Sequence, residues 1–192
     1  MGGDANNWRF SMPTSSPTLP LQQSTEELAA LLLRHGLTCA TAESCTGGMV
    51  GAALTDLPGS STWFKGGVIA YANEVKQGLL GVPEAELEAY GAVSHATVRR
   101  MALGACAAIG TDLAVSLSGV AGPDGGSPEK PVGTVYIGLA ARGMVQTFRH
   151  HFPGDREAVR LAATLQAVKY LAHGARWVYA EDKARDVPVP QA

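Results

Sequence analysis

Six mostly apolar residues, Leu37 to Ala42, run without any spacer into Glu43-Ser44-Cys45-Thr46-Gly47-Gly48, and a helical pattern follows over Met49–Leu57. A strand, a glycine junction and a helix in that order strongly limit what this chain can fold into. A strand apolar along its whole length has to be covered on both faces. Two more such runs follow, Val68–Tyr71 and Leu113–Leu117, each separated from the last by helical stretches. Thr134–Ala141 and Met144–Phe152 then form two strands joined at Arg142-Gly143, a hairpin signal. Strands alternating with helices and closing on a hairpin predict an α/β domain of three layers, α/β/α, around a mixed sheet.

The helices carry their own start and stop signals. Ser24-Thr25-Glu26-Glu27 has the S-x-x-E form of a capping box, ahead of Leu28, Leu31 and Leu32, and Gly36 ends that helix. Short helices are expected over Asn73–Leu80 and Pro83–Tyr90. Ser94 caps a longer one reaching Ile109, and Gly154-Asp155 opens the last, to about Tyr179. Residues 1–22 are rich in Pro, Ser, Thr and Asn without periodicity and are expected to be a flexible tail. The domain is expected over 23–180, with 181–192 a loose tail.

Bulk properties narrow the function. Hydrophobic residues make up 46% of the 192 and charged ones 17%, which suits one globular domain. The net charge of −2, with no block of Lys or Arg, argues against a nucleic-acid surface. No apolar run is long enough for a bilayer, and the first residues lack an apolar signal core, so neither a membrane nor secretion is expected. Three cysteines without C-x-x-C spacing, Cys39, Cys45 and Cys106, suggest no zinc site or disulfide framework and point to a reducing cytoplasm.

Four stretches carry chemistry. In AESCTGG, glycines at a strand-to-helix junction let a backbone approach a ligand, and the free N–H groups of a helix start favour an anion. Ser44 and Thr46 add hydroxyls there, although a plain helix cap fits the same residues. Cys45 as a nucleophile would need a base, and nothing in the sequence places one beside it. In GSSTWFKGGVIAYANEVKQG, a serine could lose its proton to a desolvated Lys76, with Tyr71 between them. Capping serines and a surface lysine would read the same. The loop Ser118–Gly133 has five glycines and three prolines and follows a strand, as binding loops at sheet ends do. In PGDREAVR, Asp155 caps a helix whose first turn carries Arg156 against the dipole, which suggests an anionic partner or a solvated surface.

Taken in order, AESCTGG, GSSTWFKGGVIAYANEVK, GAVS, SGVAGPDGGSPEKPVGTVY and FPGDREAVR resemble the CinA C-terminal domain family, from about Leu28 to about Leu171. The chain looks like the stand-alone form, without the additional N-terminal domain of larger CinA proteins. The resemblance implies a CinA C-terminal-like fold and hydrolysis of the carboxamide of nicotinamide mononucleotide, giving nicotinate mononucleotide and ammonia. It implies a serine-type amidase without metal or cofactor. Ser61 would be the nucleophile, Lys76 the general base and Tyr71 its helper, with Ser118 and Arg156 completing the site. Ser44, Thr46, Gly47 and Gly48 would then hold the substrate phosphate or ribose, an assignment that rests on the helix-terminus argument. The family commonly forms dimers, so a homodimer is expected. The alternative is a nucleotide-binding module without catalysis.

Overall fold

The computed structural model describes residues 19–185. One five-stranded sheet forms the middle layer, ordered β2-β1-β3-β4-β5. Its strands are β1 (Cys39–Glu43), β2 (Phe64–Ile69), β3 (Leu113–Gly119), β4 (Thr134–Ala141) and β5 (Met144–His151). β2, β1 and β3 are parallel, with Glu43 level with both Ile69 and Leu117. β3, β4 and β5 are antiparallel, and the β4–β5 hairpin turns at Arg142-Gly143. The sheet is therefore mixed, as the strand pattern predicts.

The helices are α1 (Leu19–His35), α2 (Met49–Thr55), α3 (Asn73–Leu80), α4 (Glu84–Tyr90), α5 (His95–Ile109) and α6 (Arg156–Arg185). α1, α2 and α6 cover one face of the sheet, and α5, with α3 and α4 packed against it, covers the other. The two cores follow from the strand alternation. Cys39 of β1 faces the layer of Leu28, Leu32, Val50 and Leu171, while Ala40 and Ala42 face Met101, Ala105 and Leu80. Every residue of β1 is buried, as expected for a strand covered on both sides.

Two elements differ from expectation. α1 begins at Leu19, so Ser24 and Glu27 lie inside the helix and cap nothing. Thr25 donates to the Leu21 carbonyl at 2.8 Å, as an interior threonine does. β2 begins earlier than the apolar run Val68–Tyr71, at Phe64, because Lys65 and Gly67 take its exposed positions. Residues 1–18 and 186–192, most of the expected tails, lie outside the described residues. Ser94 does cap α5, accepting from the Thr97 N–H, and Asp155 accepts from the Ala158 N–H at the start of α6.

Candidate active site

The parallel half of the sheet has one edge where strands end and chemistry-bearing residues begin. β1 delivers AESCTGG there and β3 delivers SGVAGPDGG, side by side, as two loops that follow adjacent strands must be. The Ser44 N–H donates to the Leu117 carbonyl at 3.0 Å, extending the ladder by one bond. The start of α6 closes over both loops. Arg156 Nη1 donates to the Gly122 carbonyl at 2.8 Å. Arg160, one turn further on, donates from Nε to the Cys45 carbonyl at 3.2 Å and from Nη2 to the Thr46 carbonyl at 2.8 Å.

AESCTGG does hold an anion, and that anion is its own. The Glu43 carboxylate, 1% exposed, accepts from Thr46 Oγ1 at 2.7 Å and from the Gly48, Val50 and Gly51 N–H groups at 2.9, 3.1 and 2.8 Å. It therefore satisfies donors at the start of α2 that a helix leaves open. The donors of Thr46, Gly47 and Gly48, expected to hold a phosphate, are engaged within the chain. Thr46 is fully buried on Glu43, the Gly48 amide is spent on Glu43, and the Gly47 amide closes a turn onto the Ser44 carbonyl at 3.1 Å. Ser44 keeps a hydroxyl that makes no hydrogen bond among the described residues. Cys45 is buried, and desolvation foremost pushes its thiol up to about 11, with the Glu43 charge adding to it and backbone N–H groups and Arg160 opposing it. It is protonated at neutral pH and is no nucleophile.

Lys76 sits beneath this edge, 1% exposed. α3 places it one turn in, and its Nζ donates to the Tyr71 carbonyl at 2.9 Å. Desolvation lowers its pKa, against smaller opposing effects of Cys45 and Glu74. A buried amine held by a carbonyl and short of a carboxylate partner is suited to accept a proton. Tyr71 contributes that carbonyl, and its phenol side chain is 64% exposed, so the expected link from the Tyr71 hydroxyl to Lys76 is absent. Ser118 is buried and donates to the Ala92 carbonyl at 2.7 Å, which fixes its oxygen at the end of β3.

Ser61 is elsewhere. It lies in the exposed helical turn Ser60–Thr62, just before β2, whereas Tyr71 and Lys76 follow the other end of β2. The six residues of that strand span about 20 Å at roughly 3.3 Å each. Within one chain, the length of β2 therefore stands between Ser61 and the Tyr71 carbonyl that holds Lys76. Two residues of the site, Glu43 and Arg160, were missed. The only sequence signal for Glu43 was an acidic residue directly before a glycine-rich helix start, and for Arg160 its position four residues after Arg156 on the same helix face. Among the described residues no group of three His, Cys, Asp or Glu side chains converges to hold a metal, and no helix is long and apolar enough to cross a membrane.

Known proteins resemble this chain in sequence and fold. A model of the CinA C-terminal domain matches residues 21–174. The chain is 53% identical over 146 residues to the nicotinamide-nucleotide amidohydrolase PncC of Enterobacter agglomerans, covering 76% of this chain and 89% of that protein. It is 51% identical over 152 residues to the protein of that name from Escherichia coli K12, covering 79% and 92%. A CinA-like protein of Citrifermentans bemidjiense is 48% identical over 150 residues, 78% of this chain and only 36% of that longer protein. Among solved structures, a CinA superfamily protein from Klebsiella pneumoniae superposes with a TM-score of 0.79 at 36% identity, covering 82% of this chain and 98% of that one. The competence/damage inducible protein CihA of Agrobacterium tumefaciens superposes at 0.78 and 37%, covering 80% and 94%. With four-fifths of its length matched and its fold shared, the chain belongs to the CinA C-terminal domain family.

Proposed function

We propose that this protein hydrolyses the carboxamide of nicotinamide mononucleotide to nicotinate mononucleotide and ammonia, in the recycling of pyridine nucleotides. The observation that carries the reading is the buried Lys76 amine, oriented by the Tyr71 carbonyl at the edge where both binding loops end. Relatives covering most of this chain bear the name nicotinamide-nucleotide amidohydrolase, which supports the substrate.

The chemistry needs a serine and a base. Neutral Lys76 takes the proton of the attacking serine hydroxyl, taken here as Ser61, while its oxygen bonds to the amide carbon. Backbone N–H groups stabilise the tetrahedral oxyanion, a contribution of about 3 kcal/mol per donor. Lys76 then passes its proton to the departing nitrogen, which leaves as ammonia, and an ester remains on the serine. Water adds to that ester with its proton going to Lys76, and the serine oxygen takes the proton back as the acid leaves. Ser44 and Arg156 have donors left to give at this edge, and we assign them to the nucleotide. Ser118 orients the substrate, and the Tyr71 ring flanks it.

Ammonia release from nicotinamide mononucleotide tests the reading, with free nicotinamide and an unrelated amide as controls. Release confined to the mononucleotide, lost in Ser61→Ala and in Lys76→Met, is the expected outcome. A folded wild type that binds the mononucleotide and releases none would instead make this a nucleotide-binding module. Activity retained in Ser61→Ala would move the nucleophile to Ser44.

A further inference from the structure

We propose that the amidase site is completed by a second copy of this chain, whose Ser61 is brought to Lys76 by antiparallel pairing of the two β2 edges. The inference rests on the deamidase reading for its chemistry and on the geometry of β2 for its form. Ser61 stands before one end of β2, and the Tyr71 carbonyl that holds Lys76 stands after the other. One chain presents both halves of the dyad and unites neither. A two-fold axis through the strand reverses its direction and exchanges its ends, so each Ser61 arrives at the partner's Lys76 and two sites form at once.

The register can be worked out. A two-fold axis perpendicular to a sheet keeps its faces, so a residue falls opposite one that points the same way. An axis through Gly66 sets Phe64 opposite Val68, and an axis through Gly67 sets Lys65 opposite Ile69. Directly opposed residues have Cα atoms about 5 Å apart. Either register lays the start of β2, just after the turn that carries Ser61, against the end of the partner strand, just before the Tyr71 carbonyl that holds Lys76. Gly66 and Gly67 are the middle residues of β2, and a glycine on the axis leaves no side chain between the two copies.

The strand is suited to being covered. β2 ends the strand order and has no neighbour on its outer side. An open edge with apolar residues is a template for another strand. Ile69 at the end of β2 is 58% exposed, and Tyr71, two residues beyond, 64%. Lys65, the one charge on β2, folds back to donate to the Ser61 and Thr62 carbonyls at 3.3 and 3.0 Å. Its ammonium tethers the turn that carries Ser61.

Complementation tests this with the full chain. Ser61→Ala and Lys76→Met, each inactive alone, are mixed under conditions that exchange subunits. Half of the pairs are then mixed, each with one intact site, so the mixture recovers about a quarter of wild-type ammonia release. Lys76→Gln takes the place of Lys76→Met if the latter does not fold. A mixture that remains inactive while containing mixed pairs overturns the proposal, as does a wild type fully active as a monomer. A second readout needs no activity. In Lys65→Cys/Ile69→Cys the two thiols of one strand are about 13 Å apart, beyond the reach of a disulfide, so oxidation or a short bis-maleimide links them only between copies. Covalent pairs on a denaturing gel are expected, and their absence in the folded variant overturns the pairing. If the wild type releases no ammonia, the deamidase reading falls, and the cross-link alone decides whether the strands pair.

Discussion

At the scale of single residues, the proposed chemistry turns on Lys76. A lysine acts as a base only when neutral, and burial lowers the pKa of Lys76 below the ordinary 10.5. The rate should therefore rise with pH as Lys76 loses its proton, with the inflection below that of an exposed lysine. A kcat/KM profile for nicotinamide mononucleotide checks this, and an inflection at the ordinary lysine value would remove Lys76 as the base. The family resemblance pairs Lys76 with Ser61, 15 positions earlier in the chain. An extended strand between two residues separates them by nearly its whole length. Arg160 went unread because its partners, the Cys45 and Thr46 carbonyls, lie more than a hundred residues away.

At the scale of elements, the strand–loop–helix unit β1–α2 is held by Glu43. Four donors converge on its carboxylate within a buried site. Glu43→Gln keeps the shape but turns an amide NH2 toward N–H donors, leaving buried groups unsatisfied. It should cost about 3 kcal/mol in stability, read as a lower midpoint in urea unfolding. The loss of a solvated surface charge would cost far less, so a small effect would contradict the geometry. The sequence reading of this loop pointed its donors at a bound anion, and within the chain they bond to Glu43. It looked outward for a ligand, whereas the nearest carboxylate is one residue before the loop. The capping box at Ser24 failed for a related reason. The S-x-x-E spacing also fits an interior helical turn, where Glu27 instead pairs with Arg176 of α6.

At the scale of the whole molecule, the architecture was legible and the assembly of the site was not. Uniformly apolar runs at Leu37–Ala42 and Leu113–Leu117 demand cover on two faces, and helices between them supply it. That logic yields three layers and a mixed sheet without further information. It says nothing about which strand lies at the edge, and the order β2-β1-β3 settles where Ser61 and Lys76 fall. Pairing through β2 makes one further statement about the molecule. If folding and association are linked, the thermal midpoint should rise with protein concentration, and calorimetry over a hundred-fold range reads it. A midpoint independent of concentration, with a monomer in sedimentation, would speak against the two-copy site.

The Glu43 carboxylate also bears on how substrate is admitted. Being tethered to the loop it organises, it competes for those amides at an effective concentration of millimolar or higher, which a free phosphate group would have to exceed. The loop accordingly takes its shape before any nucleotide arrives, and no ordering entropy is charged to binding at this turn. On the proposed function, selection among nucleotides would fall to groups that still have bonds to offer, Ser44 and Arg156, set in a loop whose shape Glu43 already fixes.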